Sequence, residues 1–367
     1  MKILMINVVC GIRSTGRICT DLAEEYEKQG HEVRIAYGRE QVPEKYQKYA
    51  VKIGNSIDVK LHALKARIFD TAGFGSKHAT KKFIEWVKVY DPDVIYIHNI
   101  HGYYINIEVL FQYLRTSCKK IVWTLHDCWA FTGHCTHFMV SNCNKWRKGC
   151  SPLCPEKKQY PKSFFWDNCR KNYVRKKELF TGINNLHLVV PSQWLADMVR
   201  ESYLREYPIE VKYNNIDKCV FRPIESNFRK KYGLDNKKIV LSVASTWTER
   251  KGLNDFIVLA SQLNSGYQIV LVGLTQGQIK KLPSSILGLE RTNNKQELAE
   301  IYAAADFFVN LTYEDNYPTV NLEAEACGLR VLTYNTGGCR ETIKCANSKV
   351  VETGDIKKIA DIIVNSK

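Results

Sequence analysis

ADFFVNLTYEDNYPTVNLEAEACGLRVLTYNTGG, residues 305–338, holds the grammar of the whole chain in one stretch. An apolar run (305–311) reads as a buried strand. A polar loop follows, then a helical pattern over 319–328 closed by Gly328, then a second apolar run (330–335). Strand, helix and strand within about 30 residues make a crossover unit, which places the two strands in parallel. Asp315 and Glu323 stand eight residues apart. Pro318 lies between them and suits the first turn of a helix. Asp315 then falls in the loop and Glu323 within the helix, near one another. A carboxylate accepts two hydroxyls at once, which fits a sugar site. The N–H groups between Tyr317 and Val320, Thr319 included, would point at the same ligand. Gly337 and Gly338, after the next strand, allow close approach of another part of it.

The same alternation extends in both directions. Strand-like runs occur at 2–9, 31–37, 92–99, 120–127, 185–192, 237–245 and 267–273, with amphipathic stretches between most of them, such as 15–29 and 297–305. This predicts an α/β protein with two doubly wound, Rossmann-like domains. A stretch from Pro208 to Pro223 joins the two blocks, and the break is placed so that the domains are 1–208 and 209–367. In such sheets ligands sit beyond the carboxyl ends of the strands, so the loops after each apolar run are where function is sought.

The chain has 367 residues, 45% hydrophobic and 25% charged, enough for two cores. No run approaches the roughly 18 unbroken apolar residues of a spanning helix. The start, MKILMINVVC, reads as a first buried strand rather than a signal peptide. These features predict a cytoplasmic protein. Residues 1–200 hold 31 Lys and Arg against 18 Asp and Glu, an excess of 13 out of the net +15. A basic half suggests an anionic partner: nucleic acid, an acidic membrane face or a phosphorylated acceptor. A solvated lysine surface is the plainer reading of any single cation.

Several loops carry candidate chemistry. Gly11 and Gly16 flank small residues after the first strand, where the following helix would aim N–H groups at an anion. The pattern is neither G-x-G-x-x-G nor a P-loop. His126 ends another strand and could contact a substrate hydroxyl or a phosphate, or be satisfied within its loop. Arg250 and Lys251, followed by Gly252, sit at a strand-to-helix turn. A forked guanidinium, a compact ammonium and a helix N-terminus together suit a pyrophosphate leaving group.

Taken together, residues 313–338 resemble the E-x7-E signature of glycosyltransferase family 4, the retaining GT-B enzymes. The resemblance spans nearly the whole chain through Gly11–Gly16, His126, 191–199, 213–217, 250–252 and 297–306. It is nearest to bacterial surface-polysaccharide transferases of the colanic-acid or capsule type. The resemblance implies two domains facing a cleft and no metal requirement for catalysis. Glu323 would bind the nucleotide ribose and Asp315 the donor sugar. Lys251, with Arg250, would neutralise the diphosphate, His126 would lie by the donor sugar, and the Gly16 loop by the phosphates. The backbone at Arg291 and Thr292 would contact the base of a UDP- or GDP-sugar. Three positions depart from the family pattern: Asp315 is one methylene short of the usual Glu, Thr246 stands where an Arg is usual, and Asn215 replaces a turn glycine.

The stretch from Cys128 to Cys169, both included, holds six of the thirteen cysteines. Cys135, Cys143, Cys150 and Cys154 could enclose a structural zinc, with a pair of disulfides or packed free thiols as the alternatives. Aromatic residues, among them 163–168 (SFFWDN), and the flanking lysines suit a lipid interface or a sugar acceptor. The implied activity is retaining transfer from a nucleotide-diphosphate-sugar to a glycan or lipid-diphosphate-linked acceptor in surface-polysaccharide biosynthesis. Peripheral contact with the anionic inner face of the plasma membrane goes with it. A nucleotide-sugar epimerase would need acid and base carboxylates on both sides of the sugar, and a convincing pair occurs only in the second domain. A basic nucleic-acid-binding protein would need a recognised module, and none is present, so nucleic acid is not expected as a partner.

Overall fold

The computed structural model describes residues 1–366. It divides into two compact units, Met1–Lys212 and Tyr213–Lys367. In the first, strands β1 (Lys2–Ile6), β2 (Glu32–Tyr37), β3 (Ala50–Lys52), β4 (Val94–Ile97), β5 (Lys120–Thr124), β6 (Leu186–Val190) and β7 (Ile209–Val211) form one sheet. Helices α1 (Arg13–Lys28), α2 (Ser56–Phe69), α3 (Lys77–Tyr90), α4 (Ile107–Thr116), α5 (Cys169–Phe180) and α6 (Gln193–Arg200) connect them. The order is β3-β2-β1-β4-β5-β6-β7, with every pairing parallel.

The second unit repeats the plan. It has α7 (Phe228–Tyr232), β8 (Lys238–Val243), α8 (Leu253–Gln262), β9 (Tyr267–Val272), α9 (Gln276–Ile279), β10 (Ile286–Leu289), α10 (Lys295–Ala303), β11 (Phe307–Asn310), α11 (Thr319–Ala326), β12 (Arg330–Tyr334), β13 (Lys349–Val351) and α12 (Ile356–Val364). Its order is β10-β9-β8-β11-β12-β13, again wholly parallel. Both sheets are therefore doubly wound, with the order reversing between β1 and β4 and between β8 and β11. Central strands are buried on both faces, as Ile239, Val240 and Leu241 or Phe308 and Val309 show, which is why they read as unbroken apolar runs.

The division falls after Lys212, not after residue 208. Residues 209–211 form the edge strand β7, registered on β6 through Leu188 and Ile209, and so belong to the first sheet. Three short edge strands besides, β3, β10 and β13, carry no long apolar run. Pro318 is the N-cap of α11, with φ −69° and ψ 105°, one residue before the predicted first turn. Gly16 lies inside α1 rather than in the loop before it.

Candidate active site

In the second unit the candidate residues collect at the topological switch point. Arg250 and Lys251 follow β8, and Asp315 follows β11, the neighbouring strand. A short 3-10 turn, Glu249–Lys251, ends at Gly252 with φ +72°. A side chain at Gly252 would overlap the Leu311 carbonyl, so only glycine lets the two loops run this close. The backbones are then joined by Tyr313 N–H donating to Arg250 O at 2.8 Å.

Lys251 Nζ forms an ion pair with Asp315 Oδ2, both side chains about four-fifths buried. The Arg250 guanidinium donates to the Glu314 carbonyl. Both cations thus lie within one turn of each other at the sheet's carboxyl edge, fixed by partners in the β11 loop. A diphosphate arriving there would meet two positive groups already held in place, which is how a leaving group is stabilised without reorganisation.

Glu323 projects from α11, where Tyr302 Oη donates to its Oε2 at 3.0 Å. The helix is anchored from behind: Asn321 is fully buried, accepting from Asn310 Nδ2 and donating to Thr342 Oγ1, both at 2.9 Å. Its first turn has no side-chain cap, leaving the N–H groups near Thr319 and Val320 for a ligand. The Tyr317 ring is buried and stacked on Tyr213 at 5.2 Å, so it shapes the loop by packing. Arg291 and Thr292 follow β10, and Arg291 Nη2 donates to Ser245 O, at 2.9 Å, in the loop after β8. The base-contact candidates are thus tied to the loop that leads to the cations.

Gly337 and Gly338 have a different task from the one their position suggests. Gly337 has φ +53°, a Cβ there would overlap the Asp315 carbonyl oxygen, and Gly338 N–H donates to that oxygen at 3.0 Å. The close approach they permit is that of the Asp315 backbone. Asp255 was not singled out by sequence either. It is buried and accepts from Tyr313 Oη at 2.8 Å and Tyr334 Oη at 2.7 Å, pinning the β11 and β12 ends to α8. Only distance in the sequence hid it.

In the first unit His126 lies just beyond β5. Its ring is stacked on His98, with Nε2 3.0 Å from His98 Nδ1. Burial lowers His126 to about 4 and drives His98 down as well, so both rings are neutral near pH 7. His98 and His101, at the end of β4, were missed. His101 Nε2 pairs with Asp127 at 2.7 Å and its Nδ1 meets Tyr160 Oη at 3.0 Å. His98, His101, His126 and Asp127 line a cavity of about 20 Å³, room for a single water. The two histidines three apart in IHNIHG (97–102) were the available signal. Gly16 lies where a Cβ would meet the Val9 side chain at 3.0 Å, and its carbonyl accepts from Gly11 N–H at 3.2 Å. Its smallness closes the β1–α1 turn on itself.

In the cysteine-rich insert the thiols in contact are not the four expected from the sequence. The thiols that touch are Cys135 with Cys154, Cys154 with Cys169, and Cys150 with Cys169. Cys169, at the start of α5, stands where Cys143 was expected, and Cys143 lies towards the surface. Among the described residues no group of three or more His, Cys, Asp or Glu side chains is arranged to hold a metal ion. The thiols hydrogen-bond with one another, which lowers Cys154 and raises Cys169. Further bonds hold the insert. His134 Nδ1 pairs with buried Asp70 at the end of α2. Lys176 is fully buried beneath it, donating to Trp129 O at 2.9 Å and Thr132 O at 3.2 Å, with burial lowering it to about 7.

Two doubly wound parallel sheets in succession are the GT-B architecture of glycosyltransferases. Solved structures share the fold. Sucrose-phosphate synthase from Thermosynechococcus elongatus has a TM-score of 0.71 at 16% identity, over 99% of this chain and 88% of that one. Anabaena HepE in complex with UDP-glucose has a TM-score of 0.66 at 17% identity, over 99% and 89%.

The chain belongs to glycosyltransferase family 4, whose model matches residues 15–218, while the model for glycosyl transferases group 1 matches 224–365. It is accordingly a glycosyltransferase. Among relatives, the putative colanic acid biosynthesis glycosyl transferase WcaC of Escherichia coli K12 is 23% identical over 99% of this chain and 90% of its own length. An N,N'-diacetylbacillosaminyl-diphospho-undecaprenol α-1,3-N-acetylgalactosaminyltransferase of Campylobacter jejuni is 31% identical over 41% of this chain and 43% of its own. No helix among the described residues is long and apolar enough to cross a membrane.

Proposed function

We propose that this enzyme transfers a sugar, with retention of anomeric configuration, from a UDP- or GDP-sugar to a lipid-diphosphate-linked glycan in surface-polysaccharide biosynthesis. Transfer takes place in the cytoplasm, at the inner face of the plasma membrane. The observation that carries the reading is the switch-point cluster: Lys251 paired with Asp315, Arg250 on the Glu314 carbonyl, and Glu323 on the helix that follows. Lys251 and Arg250 neutralise the diphosphate as it leaves. Asp315 holds donor-sugar hydroxyls, and Glu323 holds the ribose. The backbone around Arg291 and Thr292 receives the base, and the loop Tyr317–Pro318–Thr319, through the N–H groups of Tyr317 and Thr319, completes the donor contacts. His126 acts on the sugar side and the Gly16 turn near the phosphates. The HepE complex with UDP-glucose supports a uridine donor as the first to be tried, and WcaC and the C. jejuni transferase support a lipid-linked or polysaccharide acceptor.

A thermal-shift screen against UDP, GDP, ADP and their sugars tests this. One diphosphate should stabilise the wild type, and Glu323→Ala or Lys251→Ala should remove most of that shift. At a ligand concentration of 100 times Kd the expected stabilisation is about 2.7 kcal/mol. Unchanged shifts in both variants would place the donor elsewhere.

A further inference from the structure

The outward face of α2 is apolar where a surface helix is ordinarily polar. Ile57, Leu61 and Leu64 form one helical stripe and are 64%, 54% and 54% exposed. The opposite face fixes the helix. Ala66 is buried with Ala72 and Tyr103, and His62 accepts from Gly73 N–H at 3.2 Å and Gly75 N–H at 3.0 Å. A capping box of Asn55 and Asp58 closes its start.

The stripe continues into the insert. Phe164 N–H donates to Arg67 O at 2.7 Å and Trp166 N–H to Ile68 O at 3.1 Å, so residues 164–166 are laid along the end of α2. The Trp166 ring packs on Phe69 at 5.2 Å. Even so, Phe164, Phe165 and Trp166 remain 62%, 69% and 54% exposed. Main-chain bonds hold these aromatics outward. A continuous exposed ridge of this kind marks an interaction surface.

The charge around the ridge names the partner. Lys60, Lys65, Arg67, Lys157, Lys158 and Lys162 lie along residues 56–69 and 157–166, where the sole acidic residue is Asp58. Asp58 is occupied by the Asn55 N–H of the capping box. Apolar and aromatic side chains on one line, bordered by cations of a single sign, match the boundary between acyl chains and anionic headgroups. Tryptophan favours that depth, and lysine stems reach from it to the phosphates.

We propose that α2 and residues 163–166 form one docking face for an anionic lipid bilayer. The apolar ridge enters the interface and the six cations meet the headgroups. This deepens the reading of a lipid-linked acceptor, on which it rests: with no spanning helix among the described residues, a peripheral face brings the enzyme to its substrate.

The full chain is sedimented with vesicles of phosphatidylglycerol and phosphatidylcholine (1:1) and of phosphatidylcholine alone, in 0.1 M NaCl. Partition should favour the anionic vesicles by more than tenfold and fall as salt is raised. K157Q/K158Q should lower it roughly tenfold or more, at about fivefold per cation. F164S/F165S/W166S and, separately, L61S/L64S should each lower it at least tenfold. These side chains are exposed, so the variants should keep the wild-type melting temperature and nucleotide-diphosphate shift. That second readout separates failure of this proposal from failure of the donor assignment. Equal binding to neutral and anionic vesicles, or undiminished binding of both apolar variants, overturns the proposal. So does conversion of a self-associated species to monomer by those variants with vesicle binding intact, since a second copy would then be the occupant.

Discussion

Replacing Gly337 with alanine tests whether the site is organised through the Asp315 backbone. At φ +53° an L-residue is disfavoured by about 1–2 kcal/mol. The new methyl would overlap the Asp315 carbonyl oxygen and lie 3.1 Å from its carbonyl carbon, so one of the two loops must retreat. Retreat loses the Gly338 N–H bond to Asp315 O (3.0 Å) and disturbs the Thr336 Oγ1 bond to Tyr313 O (2.7 Å). Each is worth about 1 kcal/mol net. The total is about 3–4 kcal/mol. Gly354→Ala is the control: its φ is +86°, in the same unit, with nothing within 4 Å of a new Cβ. It should lose only the backbone share, about 1–2 kcal/mol. Scanning calorimetry of the full chain reads the difference, at roughly 2–4 °C per kcal/mol for a unit of this size. Gly337→Ala should also lose most of its nucleotide-diphosphate shift, because Asp315 moves away from Lys251, while Gly354→Ala should keep it. Equal destabilisation and equal nucleotide response in the two variants would refute the argument.

Two further outcomes follow from buried groups in the first unit. His62 is lowered to about 4 by burial, and its Nε2 accepts two backbone N–H bonds, so protonation there would set three donors against one another. The unfolded chain takes up a proton near pH 6.5 and the folded one only near 4. Stability should therefore fall as pH drops through that window, by up to about 3 kcal/mol from this residue; urea midpoints from pH 7 to 4 should show a shallower slope in His62→Gln, and an unchanged slope counts against the assignment. Of the thirteen thiols, Cys118, Cys219 and Cys345 are exposed and should react first with a thiol-specific reagent in the native protein. Lys176→Met removes the donor that ties Trp129 and Thr132 together, so the insert thiols should join the fast class; a native count unchanged in that variant would mean Lys176 does not hold the insert.

Most of the architecture was legible in order along the chain. A strand buried on both faces is apolar over most of its length, so β1, β8, β9, β11 and β12 announced themselves, and the glycines and prolines between them marked the turns. The edge strands β3, β7, β10 and β13 are only three or four residues long and half-covered, so their sequences carry no such run; β7 shifted the division of the chain by four residues for that reason. Arg250, Lys251, Asp315 and Glu323 were readable because each follows or begins an element whose type the pattern declares. Their pairing was not, since Lys251 and Asp315 lie 64 residues apart and meet only because β8 and β11 are neighbours at the switch point. The roles of Gly337 and Asp255, the His98 and His126 stack, and the choice of Cys169 over Cys143 belong to the same kind of fact. Local sequence determines which residues turn, cap and bury, because those preferences act over a few residues. Which distant groups share a proton, a carbonyl or a ring face is decided by strand order and loop approach, and these exist only once both sheets have closed.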